Sequence, residues 1–360
     1  LFVGQSSSSQ PTTGIPNNVP RHEITDFVGR DVELRYLHEQ LMQPNHVSAI
    51  ALYGIGGVGK TKLATQYAVT YLEEYSGGIC WLSSRDIDVI AQIINFARFF
   101  LGIEIPKEDI KNQLNFCWSH WREGKVLIVF DDVTDFYRIQ QYLPPAQPRF
   151  HVLITTRLQF GLSGIKFLEI KIFSEVIALE LLRSNLKEGD SRIEEEIDQA
   201  KELCRWLDYL PLGLELISRH LARKEDLSLS TMLQRLYNEK LGQEAINESN
   251  GERGINTVFE LSWQELSEDA KMLSYFLSLF ALAPIPWWLV EQLQFEQKPD
   301  NIENLRDDSL LKFSLLQRHE RGFYQFHHLI REFIQDKLNN LDDAASLKKS
   351  FCHEMANLTN

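Results

Sequence analysis

Gly54-Ile55-Gly56-Gly57-Val58-Gly59-Lys60-Thr61 follows the apolar run Val47–Tyr53 and leads into the amphipathic segment Lys62–Tyr75. Clustered glycines let successive backbone N–H groups turn inward, and the helix that starts there adds a partial positive charge. Such a loop cradles the α- and β-phosphates of a nucleotide. Lys60 is then placed to reach the β- and γ-phosphates, and the Thr61 hydroxyl to ligate Mg²⁺. A strand before the loop and a helix after it are the context the pattern needs, and both are legible here. The expected binding set from the loop is Gly54, Gly56, Gly57, Val58, Gly59, Lys60, Thr61 and Lys62, with ADP or ATP and Mg²⁺ as cofactors.

A phosphate loop needs a second group on the metal side, and Val126–Phe130 leads to one. This run is apolar at every position, as expected of a parallel strand covered on both faces, and it ends in Asp131-Asp132. Asp131 is the expected Mg²⁺ holder, through water, and Asp132 the group that orients or deprotonates an attacking water. A strand-end acidic pair facing solvent or capping a turn is the alternative. Downstream, Val152–Thr156 runs into Arg157. A cation at the carboxyl edge of an α/β sheet can detect a γ-phosphate, although a surface arginine paired with a carboxylate reads the same way.

Around these segments the chain alternates between helical and strand-like runs from about residue 33 to 172, with further strands at Gly78–Leu82, His151–Thr155 and Phe167–Ile172. Such alternation means a parallel sheet flanked by helices. Beyond residue 174 the runs become helical: Ser174–Asn185, Ser191–Leu207, Pro211–Ala222 and Ser230–Asn238. Polar, glycine-bearing Gly242–Gly254 reads as a boundary. Helices near Asn256–Trp263, Ser267–Leu279 and Pro286–Leu293 follow, then strand-like Leu310–Leu316 and Phe323–Phe326 flanking a turn at Arg318–Gly322, and a helix from His327. Three helices and a hairpin describe a winged helix. The expected architecture is multidomain α/β plus α: a linker or cloning remnant (1–20), a P-loop domain (21–172), a helical lid (173–250), a winged-helix domain (251–340) and the start of a truncated helical or sensor region (341–360).

Composition narrows the setting. A formal charge of −13 argues against a dominant nucleic-acid surface. Acidic residues outnumber basic ones within 256–340, so specific DNA binding by the winged helix is not expected. Cys80, Cys117, Cys204 and Cys352 lack metal-site spacing and fit a reducing cytoplasm. No apolar stretch reaches the roughly 20 residues of a membrane span.

Together the glycine loop, Asp131-Asp132 and Thr155-Thr156-Arg157 resemble the NB-ARC family, the nucleotide switch of plant disease-resistance proteins and apoptotic ATPases within the STAND class of P-loop NTPases. Phe27-Val28-Gly29-Arg30 looks like the family segment bordering the adenine, so Val28 and Arg30 join the expected site. Leu210-Pro211-Leu212 matches the core of "GLPL", whose proline, here Pro211, packs on the base. Phe326-His327-His328-Leu329 aligns with "MHD", which makes His327 a contact to the ADP β-phosphate. Two positions depart: Tyr209 stands where the family usually has glycine, and His328 replaces the aspartate. Read without the resemblance, the two histidines are equally a helix-start pair, one buried and one exposed, or a stray metal pair, and the role of His328 stays open.

The resemblance implies an ADP/ATP-dependent signal-transduction switch, monomeric and closed with ADP, opened for homo-oligomeric assembly by ATP, and reset by slow hydrolysis. It also implies sensor and effector domains outside this chain. A turnover ATPase that remodels other molecules, or a nucleotide-regulated transcription regulator, are the alternatives. An arginine finger would mark the former, and none is legible.

Overall fold

Four strands with apolar side chains on both faces, and a fifth at the edge, build the sheet that carries the glycine loop: β1 (Ala49–Tyr53), β2 (Gly78–Ser83), β3 (Val126–Val133), β4 (Phe150–Thr156) and β5 (Lys166–Glu169). All pair in parallel, in the order β2-β3-β4-β1-β5. This computed structural model describes residues 14–20, 27–43, 49–85, 88–158, 164–242, 250–293 and 301–359. Parallel strands require crossovers, and helices α1 (Asp31–Leu41), α2 (Lys60–Thr70), α3 (Val89–Phe99), α4 (Ile110–Ser119) and α5 (Phe136–Gln140) supply the cover on both faces. Side chains alternate accordingly. Ile50, Leu52, Leu127, Val129 and Leu153 pack with α1 and α2, whereas Ala51, Ile128, Phe130, Val152 and Ile154 pack with α3 and α4. Asp88 and Asp109 cap α3 and α4 by accepting backbone N–H bonds from their first turns, which fixes where each helix begins.

After the sheet come α6 (Glu175–Ser184), α7 (Arg192–Glu195), α8 (Ile197–Trp206), α9 (Pro211–Arg223), α10 (Leu229–Gly242), α11 (Asn250–Gln264) and α12 (Glu268–Leu279). Then follow β6 (Ile285–Pro286), α13 (Trp287–Gln292), α14 (Ile302–Leu305) with a π-helical turn at Arg306–Leu311, β7 (Leu316–Glu320), β8 (Phe323–Phe326), α15 (His328–Asn339) and α16 (Ala344–Thr359). Strands β6, β8 and β7 form a small antiparallel sheet. The core on the α1–α2 face of the large sheet continues without a break into these helices, through Leu210, Leu214, Phe259, Phe276 and Ile334.

Several expectations shift. Leu310–Leu316 is not a strand: Arg306 and Leu310, one helical turn apart, are both buried, and the chain reverses at Ser314 (φ 58°) before β7 starts. A short apolar run cannot be assigned to strand or helix by pattern alone. The hairpin turn accordingly narrows to Arg321-Gly322, and Arg318–Glu320 belong to β7. The segment 191–207 divides into α7 and α8. Of the expected boundary at 242–254, residues 243–249 lie outside the described residues, and Asn250–Gly254 begin α11. Gly254 packs against the end of α8, where a Cβ would lie 3.2 Å from the Trp206 carbonyl oxygen. Residues 14–20, read as linker from composition, run beside β2: Asn17 bridges Ile79 in parallel, and the Asn18 side chain bonds both the carbonyl and the N–H of Trp81. Tyr209 has φ 53°, the left-handed backbone that glycine adopts without cost, so the departure at this position changes the residue and keeps the turn.

Phe130 is fully buried in β3, whereas Phe99 on α3 is 80% exposed. Phe130→Ala should lower stability by about 3–5 kcal/mol, and Phe99→Ala by no more than about 0.5 kcal/mol. Urea unfolding midpoints of the two variants check this.

Candidate nucleotide-binding site

The order of the sheet decides which side chains can meet. Because β4 lies between β1 and β3, the carboxyl ends of the three strands bring together the glycine loop, Thr155 and the Asp131-Asp132 pair. Thr61 Oγ1 donates to Asp131 Oδ1 at 2.8 Å, and Thr155 Oγ1 donates to the same oxygen at 2.6 Å. The Asp132 N–H in turn donates to Thr155 Oγ1 at 2.8 Å. Burial raises the Asp131 carboxyl from 3.8 to about 6, against the opposing pull of the two hydroxyls.

Lys60 is buried at the start of α2 and donates from Nζ to the carbonyls of Gly54 (2.8 Å) and Ile55 (2.9 Å). Burial, reinforced by the nearby Arg157 charge, lowers its ammonium to about 8. Gly59 has φ 95° and no atom within 4 Å of where a Cβ would stand, so the loop is open on that side. Gly57 (φ 76°) shows the opposite constraint: a Cβ there would stand 3.1 Å from the Cβ of Leu212, and the Gly57 carbonyl accepts the Leu212 N–H at 3.2 Å. Helix α9 therefore docks directly on the loop. Helix α15 does so too, with the Leu329 methyls 3.4 Å from a Cβ built on Gly56.

These approaches enclose a cavity of about 390 Å³. Residues 57–62 and Asp132 line one side. Apolar Phe27, Val28, Phe173, Leu181 and Pro211 also line the cavity, as do the polar side chains of Gln317, Arg318, His327 and His328. Its size and its mixture of apolar wall and converging polar groups suit a small-molecule site. Among the expected residues, Val28, Arg30, Lys62, Pro211 and His327 thus join the loop at one cavity. Asp131, Gly54 and Gly56 do not line the cavity, and Asp131 reaches it only through its bond with Thr61, which does. Arg157 lies beside the loop, its guanidinium carbon 3.6 Å from a Cβ built on Gly56. The Arg30 guanidinium supports the loop by donating to Val58 O (3.2 Å), to Glu33 (2.8 Å) and to Lys171 O, and it stacks on Phe173. Lys62 pairs with Glu215 at 3.5 Å.

His327 caps α15, its Nδ1 accepting the Leu329 N–H at 3.3 Å. With Nδ1 as acceptor, a neutral ring carries its proton on Nε2, which makes that nitrogen a donor. Burial holds the His328 ring far below its usual titration range, and His327, Arg157, Arg85 and Lys60 add to the effect. Its Nε2 is buried and has no hydrogen-bond partner among the described residues.

Sequence reading missed Arg85. It follows β2 at the same sheet edge, pairs with Asp132 Oδ2 at 3.1 Å and reaches Glu332 of α15 at 2.6 Å. The end of a parallel strand next to an acidic pair was the available signal. Glu215 and Arg219 of α9, joined at 2.6 Å, also line the cavity and carried no motif.

A glycine cradle open on one side, a lysine at its end and a hydroxyl–carboxylate pair across the strand ends define a P-loop nucleotide-binding site. Residues 30–190 match the family model of the NB-ARC domain. The matched residues include the glycine loop, Asp131-Asp132 and Arg157. The chain is similar to the regulatory protein AfsR of Streptomyces coelicolor, 24% identical over 326 residues covering 87% of this chain and 32% of AfsR. A putative disease resistance protein of Arabidopsis thaliana is 24% identical over 262 residues, covering 67% of this chain and 28% of its own length. The chain spans about a third of the length of these relatives. Among solved structures, a STAND protein with a tetratricopeptide repeat sensor from Pyrococcus horikoshii shares the fold, with a TM-score of 0.57 and 20% identity over 95% of this chain and 47% of that one. No helix among the described residues is long and apolar enough to cross a membrane.

The donor set fits Mg²⁺. Among the described residues no cluster of three His, Cys, Asp or Glu is preassembled for a metal, and one hydroxyl with one carboxylate is the sparse set that Mg²⁺ uses when phosphates and waters complete its shell.

The raised Asp131 carboxyl has a consequence for stability. The folded protein holds a proton there that the unfolded chain releases near pH 3.8, so this contribution is fully present below 3.8 and is lost as pH rises through about 6. In a chelator, raising the pH from 4 to 7 should therefore destabilise wild type relative to Asp131→Asn. Urea midpoints of both proteins at each pH measure the difference.

Proposed function

We propose that this chain is an ADP/ATP-dependent signalling switch. One observation carries the reading: a single cavity is walled by the glycine loop, by the start of α9 and by the His327-His328 turn. A nucleotide there would bind all three parts at once and so hold them together. The parts correspond to a P-loop domain over residues 21–172, a helical lid over 173–250 and a winged-helix domain over 251–340, with 341–360 leading onward. The helix–strand–helix–helix–hairpin order of α12 through β8 supports the winged-helix reading.

In this reading the adenine lies against Val28, Phe173 and Pro211, and the loop N–H groups and Lys60 take the phosphates. His327 donates from Nε2 to the β-phosphate of ADP. Thr61 and Asp131 would hold Mg²⁺, which when bound neutralises phosphate charge. Asp132 orients the attacking water. Its Oδ2 is already engaged by Arg85, which suits slow hydrolysis that resets the switch rather than rapid turnover. With ADP the protein is closed and monomeric; with ATP it opens and assembles, under control of sensor and effector regions beyond these residues, in the cytoplasm. A transcription regulator is the second reading, favoured by the name of a Bacillus subtilis relative, the transcription activator GutR, 21% identical over 316 residues. The acidic balance of residues 256–340 weighs against direct DNA contact by this part.

The purified protein should carry ADP, identified by ion-exchange chromatography after denaturation. An empty protein, or one carrying GDP, contradicts the reading. Lys60→Ala should lose the nucleotide, while Asp132→Asn should keep ATP and convert it more slowly than wild type. His327→Ala should release ADP about 10- to 150-fold faster, the span set by one hydrogen bond to a charged group. Stopped-flow displacement of a fluorescent ADP measures this, and equal off-rates would remove His327 from the site.

A further inference from the structure

Helix α9 turns one face to the cavity. Pro211, Glu215 and Arg219, spaced one turn apart, all line it. Among the described residues that line the cavity, Asp132 and Glu215 are the carboxylates. Asp132 is engaged by Arg85 at the strand ends. Glu215 is held elsewhere: Arg219 donates to its Oε1 at 2.6 Å, and the Lys62 ammonium faces its Oε2 at 3.5 Å. The Glu215 side chain is 19% exposed, whereas that of Lys62 is 43% exposed. At 3.5 Å the Lys62 contact is looser than an ordinary hydrogen bond. A carboxylate oxygen carries two lone pairs, so Oε2 keeps acceptor capacity toward the cavity.

We propose that Glu215 accepts the ribose hydroxyls of the bound nucleotide and makes the site selective for sugars that carry them. The inference rests on the nucleotide reading above and adds to it a sugar contact from α9. A carboxylate repels phosphates, so in a nucleotide cavity it must meet a neutral donor of the ligand. An adenine nucleotide offers such donors in two places, the amino group of its base and the hydroxyls of its ribose. The position of Glu215 selects between them. It stands one turn beyond Pro211, which packs on the base, about 6 Å along the axis of α9. Its pair with Lys62 sets it against the first turn of α2, where the phosphates bind. The part of a nucleotide that lies between base and phosphates is the ribose. An acidic side chain serves the same purpose in dinucleotide sites, where it bonds a ribose hydroxyl. Arg219 fixes one carboxylate oxygen, and the more exposed Lys62 can turn to water as the sugar takes the other. Base and sugar would thus be read by one helix, from Pro211 and Glu215.

Competition against radiolabelled ADP, with the whole chain and Mg²⁺, tests this. The competitors are ADP, dideoxy-ADP, which lacks both ribose hydroxyls, and inosine diphosphate, which lacks the base amino group. Wild type should bind ADP about tenfold or more tighter than dideoxy-ADP, the lower end for one hydrogen bond to a charged group. Glu215→Ala should bring the two within about twofold of each other. Glu215→Gln keeps a carbonyl acceptor without the charge and should restore part of the preference. The ratio of ADP to inosine diphosphate should be the same in all three proteins. If Glu215 only braces Lys62 and Arg219, Glu215→Ala weakens ADP and dideoxy-ADP equally, and the sugar contact is wrong. A change in the ADP-to-inosine-diphosphate ratio would place the carboxylate at the base and also overturn it. In either case, binding that is lost in Lys60→Ala leaves the nucleotide reading standing. If wild type binds no ADP, both readings fall.

Discussion

The buried carboxylate of Asp131 is the constraint on which the site depends. A carboxylate removed from water must be matched by donors or give up its charge. Here Thr61 and Thr155 each donate to one of its oxygens. Those donors come from the glycine loop and from β4, so satisfying one group fixes the loop, β3 and β4 relative to one another. The Asp132 N–H closes the arrangement by donating to Thr155, which turns the chain at φ 57° and aims the next carboxylate at Arg85. Buried polar networks of this kind are favourable only when each member is satisfied, which makes the strand ends rigid.

On that rigid edge the later parts of the chain are placed by short-range contact. Gly57 has no Cβ to hold α9 away, and its carbonyl takes the N–H of Leu212. Pro211 sits at the first position of α9, where its missing N–H costs nothing and its fixed φ starts the helix. Leu329 brings α15 against Gly56 in the same way, and the continuous core through Leu210, Phe259 and Ile334 makes these contacts part of the folded interior. A ligand in the cavity is thereby held between the loop, α9 and the turn before α15.

Much of this was legible in residue order. The glycine loop, the all-apolar Val126–Phe130 and the strand-end pair Asp131-Asp132 are local patterns with one physical reading, and the sheet places them as read. The proline at the start of α9 and the helix opening at His327 were legible for the same reason. What failed was decided by tertiary contact. Leu310–Leu316 has no period that separates strand from helix, and only the burial of Arg306 and Leu310 settles it. Arg85 and Glu332 are 247 residues apart and meet because α15 folds back on the sheet edge. No spacing in the sequence records that meeting. The use of the Arg30 guanidinium to support the loop was equally out of reach, since it depends on Val58, Lys171 and Phe173 converging.

The central claim is that one nucleotide holds the sheet, α9 and the α15 region together, and that a third phosphate lets them part. Cys352 on α16 is exposed while Cys80, Cys117 and Cys204 are buried, and Ile110 at the start of α4 is 62% exposed. Spin labels on Cys352 and on Ile110→Cys therefore report the separation of the far end of the chain from the sheet. Measured by electron–electron resonance, the distance should be short and narrowly distributed with ADP and longer with a non-hydrolysable ATP analogue. The same narrow distance with both nucleotides would contradict the account.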